Sequence, residues 1–86
     1  MKLTDEESKA MHRHTFKNMD EISRSDKCGC ISCCQIYRAA EIEESIPDGD
    51  GRTALCVNCG VDAVIGDASG IEITPELLKV LNKKWF

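Results

Sequence analysis

Aromatic side chains are scarce in this chain. Two Phe, one Tyr and one Trp make up 5% of it, which excludes a core built on stacked rings. Proline occurs only twice, so no polyproline or collagen-like segment is present. No apolar run approaches the roughly 18 residues that a spanning helix needs, which excludes a membrane-crossing helix. A basic excess is also missing, because 11 Lys and Arg stand against 15 Asp and Glu for a net charge of −4. The chain therefore lacks the overall positive field on which non-specific nucleic-acid binding depends. Large aliphatics are few as well: five Leu, eight Ile and four Val, with the two Phe, give 19 of 86 residues. Burial alone stabilises so small a domain poorly, and natural chains of this size usually add disulfides, a metal or a partner subunit.

What the chain does have is cysteine, six in all. The opening Met1-Lys2-Leu3-Thr4-Asp5-Glu6-Glu7 is acidic and has no apolar leader segment, so the expected setting is the reducing cytoplasm. There, cysteine pairs act as metal ligands or redox groups rather than as disulfide staples.

The N-terminal stretch reads as helical. Thr4-Asp5-Glu6-Glu7 matches a capping box and predicts a helix over about 5–17. Asn18 to Glu21 repeats the pattern and predicts a second helix over about 19–25. Ile36 and Tyr37 suggest a strand, 39–45 a short helix, and Asp48-Gly49-Asp50-Gly51 a hairpin tip. That tip lacks the later oxygen ligands of an EF-hand, since Arg52 and Cys59 stand at those positions. Strands are expected over 53–57 and 61–65, separated by a tight turn at Cys56-Val57-Asn58-Cys59-Gly60. Gly66-Asp67-Ala68-Ser69-Gly70 is a further turn. Thr74-Pro75-Glu76 then opens a last helix, with Thr74 as N-cap and Pro75 at its first position. Leu77, Leu81 and Trp85, widened by Leu78, form its apolar stripe.

The chemistry lies in the cysteine spacing. Cys30-x2-Cys33 is followed by Cys56-x2-Cys59, a strong signature of a tetrahedral four-sulfur zinc site. Two intervening residues let a tight turn aim both sulfurs inward, and Gly60 suits the left-handed residue such turns often need. Metal binding supplies about 10–16 kcal/mol in small zinc peptides, enough to offset a thin core. A closed four-thiolate site leaves no position for water, so the expected role is structural rather than catalytic. Cys28 and Cys34 have no assigned place: alternative ligands, a pair, or small buried hydrophobes. His12 and His14, two apart on a helix, point to different sides and are read as solvated or capping residues. A disulfide framework is the rival account, and six cysteines allow 15 connectivities among which sequence does not choose.

Three stretches resemble a family of small uncharacterised bacterial cytoplasmic proteins with a zinc-ribbon-like pattern. They are Cys28-Gly29-Cys30-Ile31-Ser32-Cys33, the run from Cys56 to Asp67 (Cys-Val-Asn-Cys-Gly-Val-Asp-Ala-Val-Ile-Gly-Asp), and the terminal Trp85-Phe86. The likeness spans most of the chain from about His14 onward. Ile31 and Val57 depart from the aromatic and the proline of that pattern, but the four cysteines are kept. The resemblance implies a zinc-ribbon-like module in the cytoplasm and supplies no activity.

The resulting expectation is a small α+β fold in one zinc-stabilised domain, 1–86. It comprises a helical arm (1–27), a zinc-binding core of β-hairpins with two knuckles (28–70) and a C-terminal helix (74–84). The function expected is a non-catalytic module binding one structural Zn2+ through Cys30, Cys33, Cys56 and Cys59 and docking a protein partner, with Trp85-Phe86 as an exposed aromatic end. One alternative is a nucleic-acid-binding ribbon using the basic face formed by Lys9, His12, Arg13, His14 and Lys17. Another is a thiol redox protein. No enzyme reading survives: no histidine lies between the two cysteine pairs for a nuclease, and neither histidine has a glutamate two residues later for a zinc deaminase.

Metal analysis should find one zinc per chain, with both metal and cooperative folding lost in Cys30→Ser and in Cys59→Ser. A folded, metal-free protein whose six cysteines are all disulfide-bonded would overturn this reading.

Overall fold

The strand Lys27–Cys30 (β1) is the axis of the molecule, because both of its edges are paired. In the computed structural model, which describes residues 1–86, it lies between Ile36–Arg38 (β2) and Val64–Gly66 (β5). Both pairings are antiparallel, with Cys28 opposite Tyr37 on one side and opposite Gly66 on the other. Ser45–Asp48 (β3) and Gly51–Ala54 (β4) form a separate hairpin around the Asp48-Gly49-Asp50-Gly51 tip, where Gly49 is left-handed. Two short 3-10 turns, Ala39–Glu41 and Asp67–Ser69, follow β2 and β5. The architecture is a small α+β fold of two antiparallel sheets with two cysteine knuckles, as the spacing led us to expect. None of its helices is long and apolar enough to cross a membrane.

Strand alternation explains the Cys28-Gly29-Cys30 run. Cys28 and Cys30 point to one face of the sheet and Gly29 to the other. Against that second face packs the helix Pro75–Trp85 (α3), so closely that a Cβ on Gly29 would lie 2.8 Å from Ile73 Cγ2 and from Leu78 Cδ1. Only glycine permits that approach. Thr74 caps the helix by accepting the Leu77 N–H at 3.1 Å, and Leu77, Leu78 and Leu81 are buried, as the stripe predicted.

The arm follows its predicted start and departs from its predicted end. Helix Asp5–Arg13 (α1) carries the full capping box, with Thr4 Oγ1 accepting from Glu7 N at 3.0 Å and Glu7 Oε1 from Thr4 N at 2.9 Å. It stops before residue 17 because Thr15 donates to the His12 carbonyl at 2.7 Å and Lys17 turns left-handed. The second helix is only Met19–Ser23 (α2), and the capping role expected of Asn18 is not realised. Its side chain turns inward instead. Asn18 Nδ2 donates to the carbonyls of Val64 (2.7 Å) and His14 (2.9 Å), and Oδ1 accepts from Ala54 N (2.9 Å). Two tertiary hydrogen bonds, with one to the preceding turn, outcompete one local cap. Ile22 follows it into the core, whereas Phe16 is exposed.

The middle also differs from expectation. Residues 39–45 form one 3-10 turn and the start of β3 rather than a helix. The strands expected over 53–57 and 61–65 are shorter and do not pair with each other. β4 ends at Ala54 because Cys56 N–H is drawn to the Val61 carbonyl, and β5 pairs with β1. Trp85 is half-buried, its indole N–H donating to Ser8 at 3.1 Å, so of the predicted aromatic end only Phe86 is exposed.

Asn18→Ala would leave the buried Ala54 N–H and Val64 carbonyl without partners. A loss of about 2–4 kcal/mol is expected, read as a lower urea midpoint of the metal-loaded protein with unchanged metal stoichiometry.

Candidate metal centre

The two knuckles share one backbone frame. In the first, Cys30 N–H donates to the Gln35 carbonyl at 3.0 Å, and Cys34 N–H donates back to the Cys30 carbonyl at 2.7 Å. In the second, Cys56 N–H donates to Val61 O at 3.0 Å and Gly60 N–H to Cys56 O at 3.0 Å. The residue after the second cysteine is left-handed in both, Cys34 with φ 63° and Gly60 with φ 78°. Cys34 thus stands where the second knuckle uses glycine, its Sγ 3.7 Å from the Leu78 carbonyl. Amides within the second turn point at its first sulfur, Asn58 and Cys59 N–H at Cys56 Sγ (3.3 and 3.5 Å).

This frame brings Cys30, Cys33, Cys56 and Cys59 together, their sulfurs all within 4.8 Å of one another. Cys30 and Cys59 are 3.7 Å apart, as are Cys33 and Cys56. A tetrahedron with metal–sulfur bonds of about 2.3 Å has edges of about 3.8 Å, so the spacing fits one ion. It does not fit disulfides, whose sulfurs lie about 2.05 Å apart, and all six cysteines are free. Four sulfur donors select a soft tetrahedral ion. Cys30 and Cys56 are buried, Cys33 is half-buried and Cys59 is exposed, so the centre touches solvent along one edge.

Electrostatics separate the ligands of the metal-free protein. Burial raises the Cys30 thiol and the Cys59 thiol above their ordinary range. Burial also acts to raise Cys56, but hydrogen bonds from the Tyr37 hydroxyl, the Cys59 and Asn58 amides and the Cys33 thiol outweigh it and bring Cys56 down to about 6. Cys28 lies outside the cluster. It is fully buried on the strand that delivers Cys30, and burial pushes its thiol up to about 12. It is a neutral core residue, which settles the place of one of the two unassigned cysteines.

Two further residues hold the site that the sequence does not announce. Asn82 Nδ2 on α3 donates to the carbonyls of Ile31 (2.9 Å) and Ser32 (3.0 Å), clamping the first knuckle. Tyr37 Oη accepts the Val57 N–H at 3.3 Å, clamping the second. Neither carries a local motif, because both act across the chain.

The remaining candidates are placed elsewhere. The His12 ring stacks on Trp85 with centroids 4.0 Å apart, and His14 Nδ1 lies 2.9 Å from Glu21. Lys17 is beyond α1 and pairs with Asp50 at 3.2 Å. Of the expected basic face, Lys9, His12 and Arg13 stay on the helix without an acidic partner. No protein-family model, curated protein or solved structure matches this chain.

A ligand must be deprotonated to bind metal, so loading displaces the protons that the free thiols hold. At pH 7.5 the raised thiols of Cys30 and Cys59 should release at least two protons per ion, with little from Cys56. Affinity therefore falls as pH falls. It should fall more steeply by one proton below about pH 6, where Cys56 is also protonated in the free protein. Chelator competition from pH 5 to 8 measures this slope.

Proposed function

We propose that this chain is a non-catalytic module, folded around one structural Zn2+, that binds a protein partner. The observation that carries the metal reading is the closed set of four sulfurs at tetrahedral spacing, which offers no open position for a substrate or water. By the resemblance of its cysteine segments, we also propose that it belongs with small bacterial cytoplasmic zinc-ribbon-like proteins.

The partner surface we favour lies beside the second knuckle. Glu41, Glu43, Glu44, Leu55, Cys56, Val57 and Gly60 line an open groove, in which Val57 is 47% exposed. No ion pair engages the three glutamates. Four thiolates around one dication would add a further net negative charge beside them. An apolar floor with an acidic wall suits a partner segment carrying an apolar side chain flanked by Lys or Arg. The nucleic-acid alternative draws less support, because Lys17 and His14 face carboxylates.

A photo-crosslinking residue placed at Val57 should capture one protein in cells, and the same residue at exposed Ile46 should not. Glu43→Lys with Glu44→Lys should abolish that capture without loss of metal. Equal capture from both positions, or salt-sensitive micromolar binding of duplex or single-stranded probes, would overturn the proposal.

A further inference from the structure

The two knuckles share their frame but not their surroundings. In the first, the amide of the residue after the leading cysteine, Ile31 N–H, donates to the Ala63 carbonyl at 2.9 Å. This bond continues the β1–β5 ladder, in which Cys30 stands opposite Val64. The corresponding amide of the second knuckle is Val57 N–H. No strand offers it a carbonyl, because β4 pairs only with β3 and β2 pairs only with β1. Its acceptor is the Tyr37 hydroxyl at 3.3 Å. Tyr37 and Ala63 hold the same place in the repeat, each seven residues beyond the first cysteine of its own knuckle. A side chain thus does in one half what a main-chain carbonyl does in the other.

The phenol does more than a carbonyl can. Its oxygen accepts from Val57, and its own proton remains free to be donated. Cross-strand pairing opposite buried Cys28 puts Tyr37 on the face of the sheet that carries Cys28 and Cys30, and so fixes the ring from below.

We infer that Tyr37 is a positioning residue of the metal centre, gripping the second knuckle through Val57 N–H, the amide next to the Cys56 ligand. This inference rests on the metal reading of the four cysteines. A contact that fixes the turn carrying a metal ligand orients that ligand, and removal of such a supporting contact typically costs about 10–100-fold in metal affinity. The assignment also implies that the Val57 amide, although its side chain is exposed, is shielded from solvent exchange.

The test compares wild type with Tyr37→Phe, which keeps the ring in its place on β2. Both proteins are loaded with Co2+ for spectroscopy and with Zn2+ for transfer to a chromogenic chelator. The variant should still bind one ion. It should release zinc about 10–100-fold faster. Hydrogen exchange provides a second reading on the folded proteins, with Val57 N–H exchanging at least about 10-fold faster in the variant than in wild type. If the variant does not fold, slow exchange of Val57 N–H in loaded wild type supports the assignment, and exchange at the rate of an open amide overturns it. Unchanged Val57 N–H exchange with zinc release within about twofold of wild type overturns the role of Tyr37 and leaves the metal centre standing. A wild-type protein that takes up neither ion fails the metal reading itself, and the inference falls with it.

Discussion

Four sulfurs converging within 4.8 Å of one another set the terms for the rest of the structure. Two thiolates 3.7 Å apart repel by about 4–5 kcal/mol at an effective dielectric of 20, and the cluster holds several such pairs. Only protons or a cation relieve that repulsion. The metal-free chain uses protons, through the raised thiols of Cys30 and Cys59. A dication would replace them with bonds that tie residue 30 to residue 59 and residue 33 to residue 56. Those links close long loops in a chain with few large apolar residues, which is where a cross-link stabilises most.

The other elements serve to hold two knuckles at that separation. β1 ends at Cys30 and pairs on both edges, so the first knuckle is anchored in the sheet. Helix α3 presses on the sheet at Gly29 and reaches over to the first knuckle through Asn82. The second knuckle has no such sheet beneath it. Asn18 fixes the chain on either side of it, at Ala54 and Val64, and Tyr37 fixes its turn. The helical arm is therefore not an appendage. It supplies the buried amide that joins β4 to β5, two strands that do not pair with each other.

Much of this was legible beforehand. The four cysteines, the Thr4 and Thr74 caps, the Asp48–Gly51 tip and the stripe on the last helix all rest on local chemistry, which spacing reveals. The failures share one cause. Asn18 reads as a cap and Ala39 to Ser45 as a helix because local patterns permit both, but tertiary hydrogen bonds and the β3–β4 ladder win. Trp85 reads as an exposed end because it stands next to the last residue, yet His12 stacks on it from the other end of the chain. Cys34 looks like a spare thiol because sequence does not reveal backbone sign, and the structure places it in the left-handed slot that Gly60 fills in the second knuckle.

By itself, then, the amino-acid sequence determined that the chain needs a cross-link and which four cysteines stand at the spacing to make one. Both follow from composition and from the reach of a two-residue turn. Tertiary structure alone decided which sulfurs face each other, that Cys28 is inert core, and that Asn18, Tyr37 and Asn82 grip the knuckles. Those roles depend on groups 20 to 51 residues apart meeting at hydrogen-bond distance, and no local pattern encodes such a meeting.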